Sequence, residues 1–451
     1  MTIRKALNIF ILICISIAII LSTGCSINKS SGNSNSKVSL SIVDNPFGLE
    51  NASEELVEAL TNSGAISTYT FKQELSDNSK KFLEYYKKYY GGTVTYKYIA
   101  YADNQTQYLI DYAAGEMPDL VMIDYRKWPK VGNRQIAYNT DELKNLGVLG
   151  LDHPELKKYS SLSDNYNYKG KDYAFTVSYA SPCMMGVNLD LFDKYSVKSP
   201  VEYYKDGNWN IDTFEECIKN ISRTTTDGTK IYGVTAWNLG WFITADDNSL
   251  VSWDKDWKLK TNLKDSEVMA TLQSIKNWHT NGYFGGDTAE FTSGSLAIYT
   301  ATADNLDDAV KSVTFNWDIV PFPYGMNNTS GMLPGEITGS GVASSTKNPQ
   351  GVVNYCIASS MFSSQYHGVE LGSVYSESYD VYSKEQLKLI NNHVDKISED
   401  LLFGVGSLAK TPVWHFWNDI KSPSVTVKQA VDTHTPVFEG QCEAEMLESK
   451  S

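Results

Sequence analysis

Short carboxylates and amides follow directly after apolar, strand-like runs at several points in the chain. Asp44 and Asn45 come after Val38–Val43, Asp103 and Asn104 close Thr93–Tyr101, and Asp124 follows Leu120–Ile123. Groups of this kind accept and donate hydrogen bonds to hydroxyls. A second set is aromatic. Trp237 and Trp241 stand one helical turn apart after Ile231–Ala236, Tyr299 follows Ala297-Ile298, and Trp414 and Trp417 flank His415 in a Trp-His-Phe-Trp cluster. Flat rings stack on apolar C–H faces, so the two sets together suit a solute that is polar at its edges and apolar on its faces, as a sugar is. Each residue also has a plain structural role open to it. Strand-end aspartates cap helices, and tryptophans fill cores. Trp209 and Trp317 are expected in the core. Tyr125, Arg126 and Trp128 form a further polar-aromatic group beside Asp124, where Pro129 points to a surface turn. The chain holds 29 Tyr, 16 Phe and 10 Trp, more tryptophan than core packing alone calls for, which favours ligand platforms among them.

Other chemistries find little support. No GxSxG, HExxH, P-loop or GxGxxG stands in a context that supports hydrolysis, metal or nucleotide chemistry. The six histidines (His153, His279, His367, His393, His415, His434) are isolated in sequence. Carboxylates are plentiful, and a glycosidase pair stays open, but no spacing singles one out. Tyr85-Tyr86, Tyr89-Tyr90 and Tyr203-Tyr204 raise iron binding through tyrosine pairs as a rival. The first two pairs fall on an amphipathic helix and read as packing plus surface.

The elements that would position these residues alternate. Val38–Val43 reads as a half-buried strand. Asn78–Tyr90 reads as a helix with Phe82, Tyr86, Tyr89 and Tyr90 on one face, ended by Gly91-Gly92. Thr93–Tyr101 is the next strand, Gln105–Ala114 a helix stopped by Gly115, and Leu120–Ile123 a short buried strand. This order implies a parallel sheet covered by helices, with ligands beyond the carboxyl ends of its strands. Further on, Glu267–Thr280 is expected as a helix with Val268, Leu272, Ile275 and His279 facing in and Asp265 or Ser266 as cap. Asn348-Pro349 opens another, with Val353, Cys356, Ile357 and Ser360 facing in.

The first residues have a different character. Arg4 and Lys5 precede an apolar run, Ala6–Leu21, broken only by Asn8 and Ser16, and small residues lead to Cys25. That order is a secretory signal peptide. Leu21-Ser22-Thr23-Gly24-Cys25 resembles the lipobox of bacterial lipoproteins, with Ser22 where an aliphatic residue is usual. The resemblance implies cleavage after residue 24 and acylation of Cys25. The alternative is an uncleaved anchor, for which the run is short against the ~20 residues a spanning helix needs. Residues 25–37 are Ser/Asn/Gly-rich and read as a flexible tether. Loss of the two leader cations moves the formal charge from −14 to −16, which disfavours nucleic acid and anionic lipid as partners. Roughly 414 residues follow the tether, enough for two lobes of about 200 residues each. Cys183, Cys217, Cys356 and Cys442 are widely spread, lack metal-ligand spacing, and are expected as buried free thiols.

Several segments together resemble the extracellular solute-binding protein family 1 of ABC importers, the maltose-binding-protein-like group. They are Gly91–Tyr101 with Ala113–Asp124, then Lys169–Ala174 with Val187–Tyr195, Trp209–Phe214, Phe291–Ile298, Trp317–Pro323 and Ser345–Pro349. The resemblance implies an α/β, two-lobed periplasmic-binding-protein-like fold, each lobe a mainly parallel sheet flanked by helices and joined by hinge strands. Residues 38–179 and 338–405 would form lobe 1, and 180–337 and 406–451 lobe 2. Gly335–Ala343 would be one hinge crossing, its glycines allowing backbone rotation, with the others near Tyr179–Met184 and Phe403–Pro412. The positions of Trp237, Trp241, Tyr299 and the Trp414 to Trp417 cluster match places where the family often sets a ligand aromatic. The expected function is a monomeric receptor, lipid-anchored on the outer face of the cytoplasmic membrane of a Gram-positive cell. It would bring a small solute, most simply an oligosaccharide, to ABC permease subunits, without catalysis, cofactor or metal. A sensor component, or a receptor for a metal or peptide, remains open beside it.

Overall fold

The helices at Asp77–Tyr90 and Asn104–Ala114 and the strands at Val94–Tyr98 and Leu120–Asp124 fall where their patterns imply, a strand at Ile66–Thr70 was not expected, and Val38–Val43 lies outside the described residues. The computed structural model describes residues 64–70, 77–99, 104–158, 160–236, 238–367, 381–405 and 411–447. Cys25, Asp44, Asn45, Asp103 and Trp237 lie outside them. Ile66–Thr70 is β1, Asp77–Tyr90 α1, Val94–Tyr98 β2, Asn104–Ala114 α2 and Leu120–Asp124 β3. β1 runs parallel to both β2 and β3, with Ile66 beside Val94 and Thr68 beside Leu120. Parallel neighbours need crossovers, which α1 and α2 supply. α1 buries Phe82, Tyr85, Tyr86 and Tyr90, while Tyr89 is only half-buried against Tyr85 at 4.8 Å. Gly91 ends α1 at φ +67°, a left-handed position that glycine takes without a Cβ clash, and its N–H donates to the Lys87 carbonyl at 3.1 Å.

The second stretch begins with β4, Thr176–Asn188. Then follow α3 (Ile211–Ile221), β5 (Lys230–Ala236), α4 (Gly240–Thr244), α5 (Ser266–Thr280), α6 (Thr288–Thr292), β6 (Leu296–Thr302), α7 (Ala303–Val310) and β7 (Trp317–Pro321). β8 (Leu333–Ala343), α8 (Pro349–His367), β9 (Ile397–Ser398), α9 (Thr411–Lys421) and α10 (Val427–Leu447) follow. Among the described residues these strands join one eleven-stranded sheet whose main path runs β2-β1-β3-β8-β4-β6-β5 and ends on Arg223–Thr224. The two longest strands hold its middle. β8 pairs antiparallel with β3 through Thr338–Val342 and with β4 through Gly335–Ser340. β4 changes partner between Pro182 and Cys183: up to Pro182 it faces β8, and from Cys183 to Asn188 it lies between β6 and β7. That change falls inside the segment Tyr179–Met184. Of the third expected crossing, Leu401–Gly404 is a 3-10 turn, and residues 406–410 lie outside the described ones.

The glycines of β8 have a packing reason. A Cβ on Gly335 would stand 2.6 Å from the Ser181 carbonyl oxygen, and one on Gly339 would meet Ala174 at 2.5 Å and the Tyr166 ring at 2.9 Å. Close approach of neighbouring strands and of Tyr166 requires them.

Three apolar clusters carry the burial. One gathers Phe214, Phe242, Trp278, Phe322 and Phe438, another Tyr69, Trp128, Tyr166, Leu306 and Ile390, and the third packs Tyr86 of α1 on Val353 and Phe362 of α8. Each such side chain contributes about 1.5–3 kcal/mol when fully buried. Trp209 is core, and its indole N–H donates to the Pro321 carbonyl at 2.9 Å. Several expectations need correction. Trp128 is buried against Tyr166 at 5.7 Å, so Pro129 marks no surface turn there. Trp317 is half-buried, edge-on to Tyr382. On α5, Val268, Leu272 and Ile275 face in, but Trp278 joins them where His279 was expected, and His279 rests on Phe284 at 4.6 Å. The larger apolar ring takes the interior and the imidazole its margin. Asp265 is the N-cap residue of α5 and makes no side-chain cap bond. All four described cysteines are buried and free. Among the described residues no helix is long and apolar enough to cross a membrane.

Candidate functional site

The ends of β3 and β6, the first part of β8 and the start of α4 surround a cleft. It has two adjoining parts that share Tyr125, Trp241 and Glu336. The larger part encloses about 670 Å³ and is lined further by Thr288, Thr292, Tyr299, Asp304 and Asp308. The smaller adds Asn238, Thr244, Gly335, Glu399 and Asp400.

β6 ends at Thr302, and α7 starts at once, which places Asp304 in the first helical turn, where backbone N–H groups and the helix dipole favour a carboxylate. Tyr179 Oη and Ser181 Oγ of β4 each donate to Asp304 at 2.7 Å. Burial and the Asp304 charge push the Tyr179 phenol well above its ordinary range, so it remains a donor. Glu336 stands across from Ser181 in the β8–β4 ladder, on the same face of the sheet. Its carboxyl is mostly buried and, among the described residues, takes no hydrogen bond or ion pair. Burial, then the charge of Asp304, push it up to about 7 against a partial offset from Arg126. Burial also raises Glu399 well above the carboxylate range, although the Ile337 N–H donates to it at 2.7 Å. Burial lifts Asp400 to about 6, against backbone N–H bonds from Leu250, Val251 and Leu402.

The residues singled out in the sequence divide. Trp241 and Tyr299 line the cleft together. Trp241 stands in the first turn of α4, is 6% exposed, and presents one side to the core. Tyr299 stacks on Phe291 at 5.4 Å and accepts a hydrogen bond from Thr288 Oγ1 at 3.0 Å. Asp124 is the last residue of β3 and turns away into its own corner. Its carboxylate accepts the Arg126 and Lys127 N–H groups at 3.0 and 3.2 Å and pairs with the Arg126 and Lys127 side chains at 2.9 and 3.5 Å. Burial works against the charged form, yet the two cations hold Asp124 below the usual carboxylate range. That corner presents Tyr125 to the cleft. Asn104 opens α2. Trp414 is 62% exposed with Lys421 against its ring at 5.4 Å, and Trp417 packs on Phe416 at 5.0 Å. Neither is among the residues lining this cleft.

Glu336, Asp304, Tyr179 and Ser181 were missed by residue-type reasoning. Two signals pointed to them. Glu336 is the single charge in Gly335–Ala343, and Asp304 lies just past a strand end, the position that marked Asp124.

Comparison with solved structures places the fold. An ABC substrate-binding protein of Listeria monocytogenes in complex with cycloalternan aligns over 84% of this chain and 99% of its own, at 14% identity and a TM-score of 0.61. An extracellular solute-binding protein of Staphylococcus aureus with maltose aligns over 84% and 98%, at 14% identity and 0.61. UgpB of Mycobacterium tuberculosis with glycerophosphocholine aligns over 85% and 100%, at 17% identity and 0.61. These are likenesses of fold, the two-lobed α/β architecture of periplasmic binding proteins. No curated protein matches the sequence. The family described as bacterial extracellular solute-binding protein matches residues 81–359, more than half of the chain. The chain is therefore a member of the bacterial extracellular solute-binding proteins.

Proposed function

We propose that this protein is a receptor that captures a carbohydrate outside the cell, closes two lobes on it, and presents it to the permease of an ABC importer. The observation that carries this reading is the cleft part of about 670 Å³ with aromatic rings (Tyr125, Trp241, Tyr299) set among hydrogen-bonding groups (Thr288, Thr292, Asp304). Rings for sugar faces and short polar groups for hydroxyls are what a carbohydrate needs. Two of the similar structures hold carbohydrates. Lobe 1 comprises residues 38–179 and 338–405, and lobe 2 residues 180–337 and 406–451. Ligand bridging the lobes shifts the population toward the closed form. Trp241 and Tyr299 are cleft residues in this reading. The described structure around Asp124, Trp414 and Trp417 gives them structural partners, and Asp44, Asn45, Asp103, Asn104 and Trp237 remain candidates by position.

Tryptophan fluorescence of residues 38–451, titrated with a broad panel of mono- and oligosaccharides, tests the ligand class. A saturable response to at least one sugar is expected. Silence toward every sugar together with a response to metals or peptides overturns it. The same reading has Cys25 acylated and residues 1–24 removed. Mass spectrometry of the mature N-terminus is expected to show the lipid, and an intact leader or an unmodified Cys25 overturns the anchor.

A further inference from the structure

The described lining of the cleft is one-signed. Among the described residues it holds Asp304, Asp308, Glu336, Glu399 and Asp400 and no lysine, arginine or histidine. Three of the five carboxylates are occupied within the protein. Asp308 pairs with Lys311 at 2.9 Å, Asp400 accepts three backbone N–H groups, and Glu399 accepts the Ile337 N–H. Asp304 and Glu336 are different. Asp304 accepts two hydroxyls, which bond it but cancel none of its charge. Glu336 accepts nothing among the described residues. The cation that acts on it most, Arg126, is committed to Asp124 at 2.9 Å, and Lys127 is drawn to the same Asp124 at 3.5 Å. Ser181 stands across from Glu336 and donates to Asp304, so the two carboxylates converge on one place in the sheet. Tyr125, Trp241 and Tyr299 line the same space.

Two converging carboxylates beside aromatic faces form a setting for a cation. A positive group between like charges relieves their repulsion, and ring faces attract it further. A neutral sugar leaves Glu336 to hold its proton in this largely desolvated position, whereas a cation allows both carboxylates to ionise. We propose that the solute is a carbohydrate bearing a basic nitrogen, an amino sugar whose ammonium lies between Glu336 and Asp304 while its ring lies against the aromatic wall. This rests on the reading of the cleft as the solute site and adds the charge of the solute to it.

Calorimetric titration of residues 38–451 with matched oligosaccharides tests the proposal. The panel comprises glucosamine and galactosamine oligomers of several linkages, their N-acetylated forms, and the corresponding unsubstituted sugars. At least one free amine should bind, and N-acetylation of that compound should weaken binding by about tenfold or more, the effect of losing one charge-assisted contact. Glu336→Gln should weaken the amine by a similar factor, with a thermal midpoint no lower than the parent protein's to show that the fold is kept. Binding of unsubstituted or acetylated sugars equal to or tighter than that of the amines overturns the cationic solute and leaves the carbohydrate receptor standing. Tight amine binding unaffected by Glu336→Gln and by Asp304→Asn overturns the placement of the ammonium. Absence of binding across the whole panel overturns both the charge and the carbohydrate reading.

Discussion

Glu336 sits where its chemistry is unfavourable to the fold, and that is measurable without any ligand. Its folded pKa of about 7 lies above the usual carboxylate value, because burial and then Asp304 oppose the charge. A carboxyl raised in the folded state binds its proton there at pH values where the unfolded chain has already released it. Its contribution to stability is therefore present below the unfolded pKa and is lost as pH rises through about 7. Stability should fall between about pH 4.5 and 7, by roughly 3 kcal/mol from this group alone. Asp400, raised to about 6, adds in the same direction. Urea unfolding at several pH values should show the decline, and Glu336→Gln should reduce its slope; an unchanged slope would place the titration elsewhere. Among the aromatics, Trp241→Ala should weaken ligand by about tenfold or more, while Trp414→Ala, which removes a 62% exposed ring outside the cleft lining, should stay within about twofold. Equal losses in both variants, measured by titration, would break the link between cleft lining and affinity. At this scale the sequence was half legible. Ring position after a strand marked Trp241 and Tyr299. Residue type alone could not tell that the neighbours of Asp124, Arg126 and Lys127, would claim its carboxylate.

At the scale of elements, alternation and punctuation located β2, β3, α1, α2, α5 and the start of α8, since periodicity and Gly or Pro stops are local signals; β1, Ile66–Thr70, was not among the expected strands. The pairing of β4 with β8 on one side and with β6 and β7 on the other is not local, and no pattern within thirteen residues states it. The glycines of β8 illustrate the difference. They read as joints, and their neighbours give them a close-packing role as well. Gly339→Ala should therefore destabilise by about 1–3 kcal/mol through overpacking against Ala174 and Tyr166. No loss on chemical denaturation would mean that Tyr166 yields at little cost. α10 supplies a second case. Its Glu445 is nearly inaccessible and meets Lys130 at 2.9 Å and Arg134 at 3.9 Å, from the segment just after β3. Removing one member of a buried pair strands the other charges, so Glu445→Ala should cost about 3–5 kcal/mol, with partial recovery in Glu445→Gln. A loss under about 1 kcal/mol would show that water reaches the pair and screens it.

For the whole molecule, the question is what moves. β4 and β8 each run unbroken past the cleft, so relative motion of the proposed lobes must bend or twist these strands near Pro182-Cys183 and Gly335-Glu336, where partners change. On the proposed lobes, a solute touching both Tyr125, past β3, and Trp241 or Asp304, past β5 and β6, would bridge the two. Differential contact is the source of any population shift. The motion can be read by energy transfer between dyes on Lys144→Cys and Lys219→Cys, both exposed and one on each proposed lobe. The native thiols Cys183, Cys217, Cys356 and Cys442 are buried, and burial pushes those of Cys217, Cys356 and Cys442 up to about 12, so labelling should favour the introduced pair. With a binding sugar from the panel, transfer should rise with the same midpoint as the tryptophan response, because closure and occupancy are one equilibrium. Saturating sugar with no change in transfer would mean a preformed rigid cleft. The permease would then have to recognise the ligand itself instead of a closed receptor.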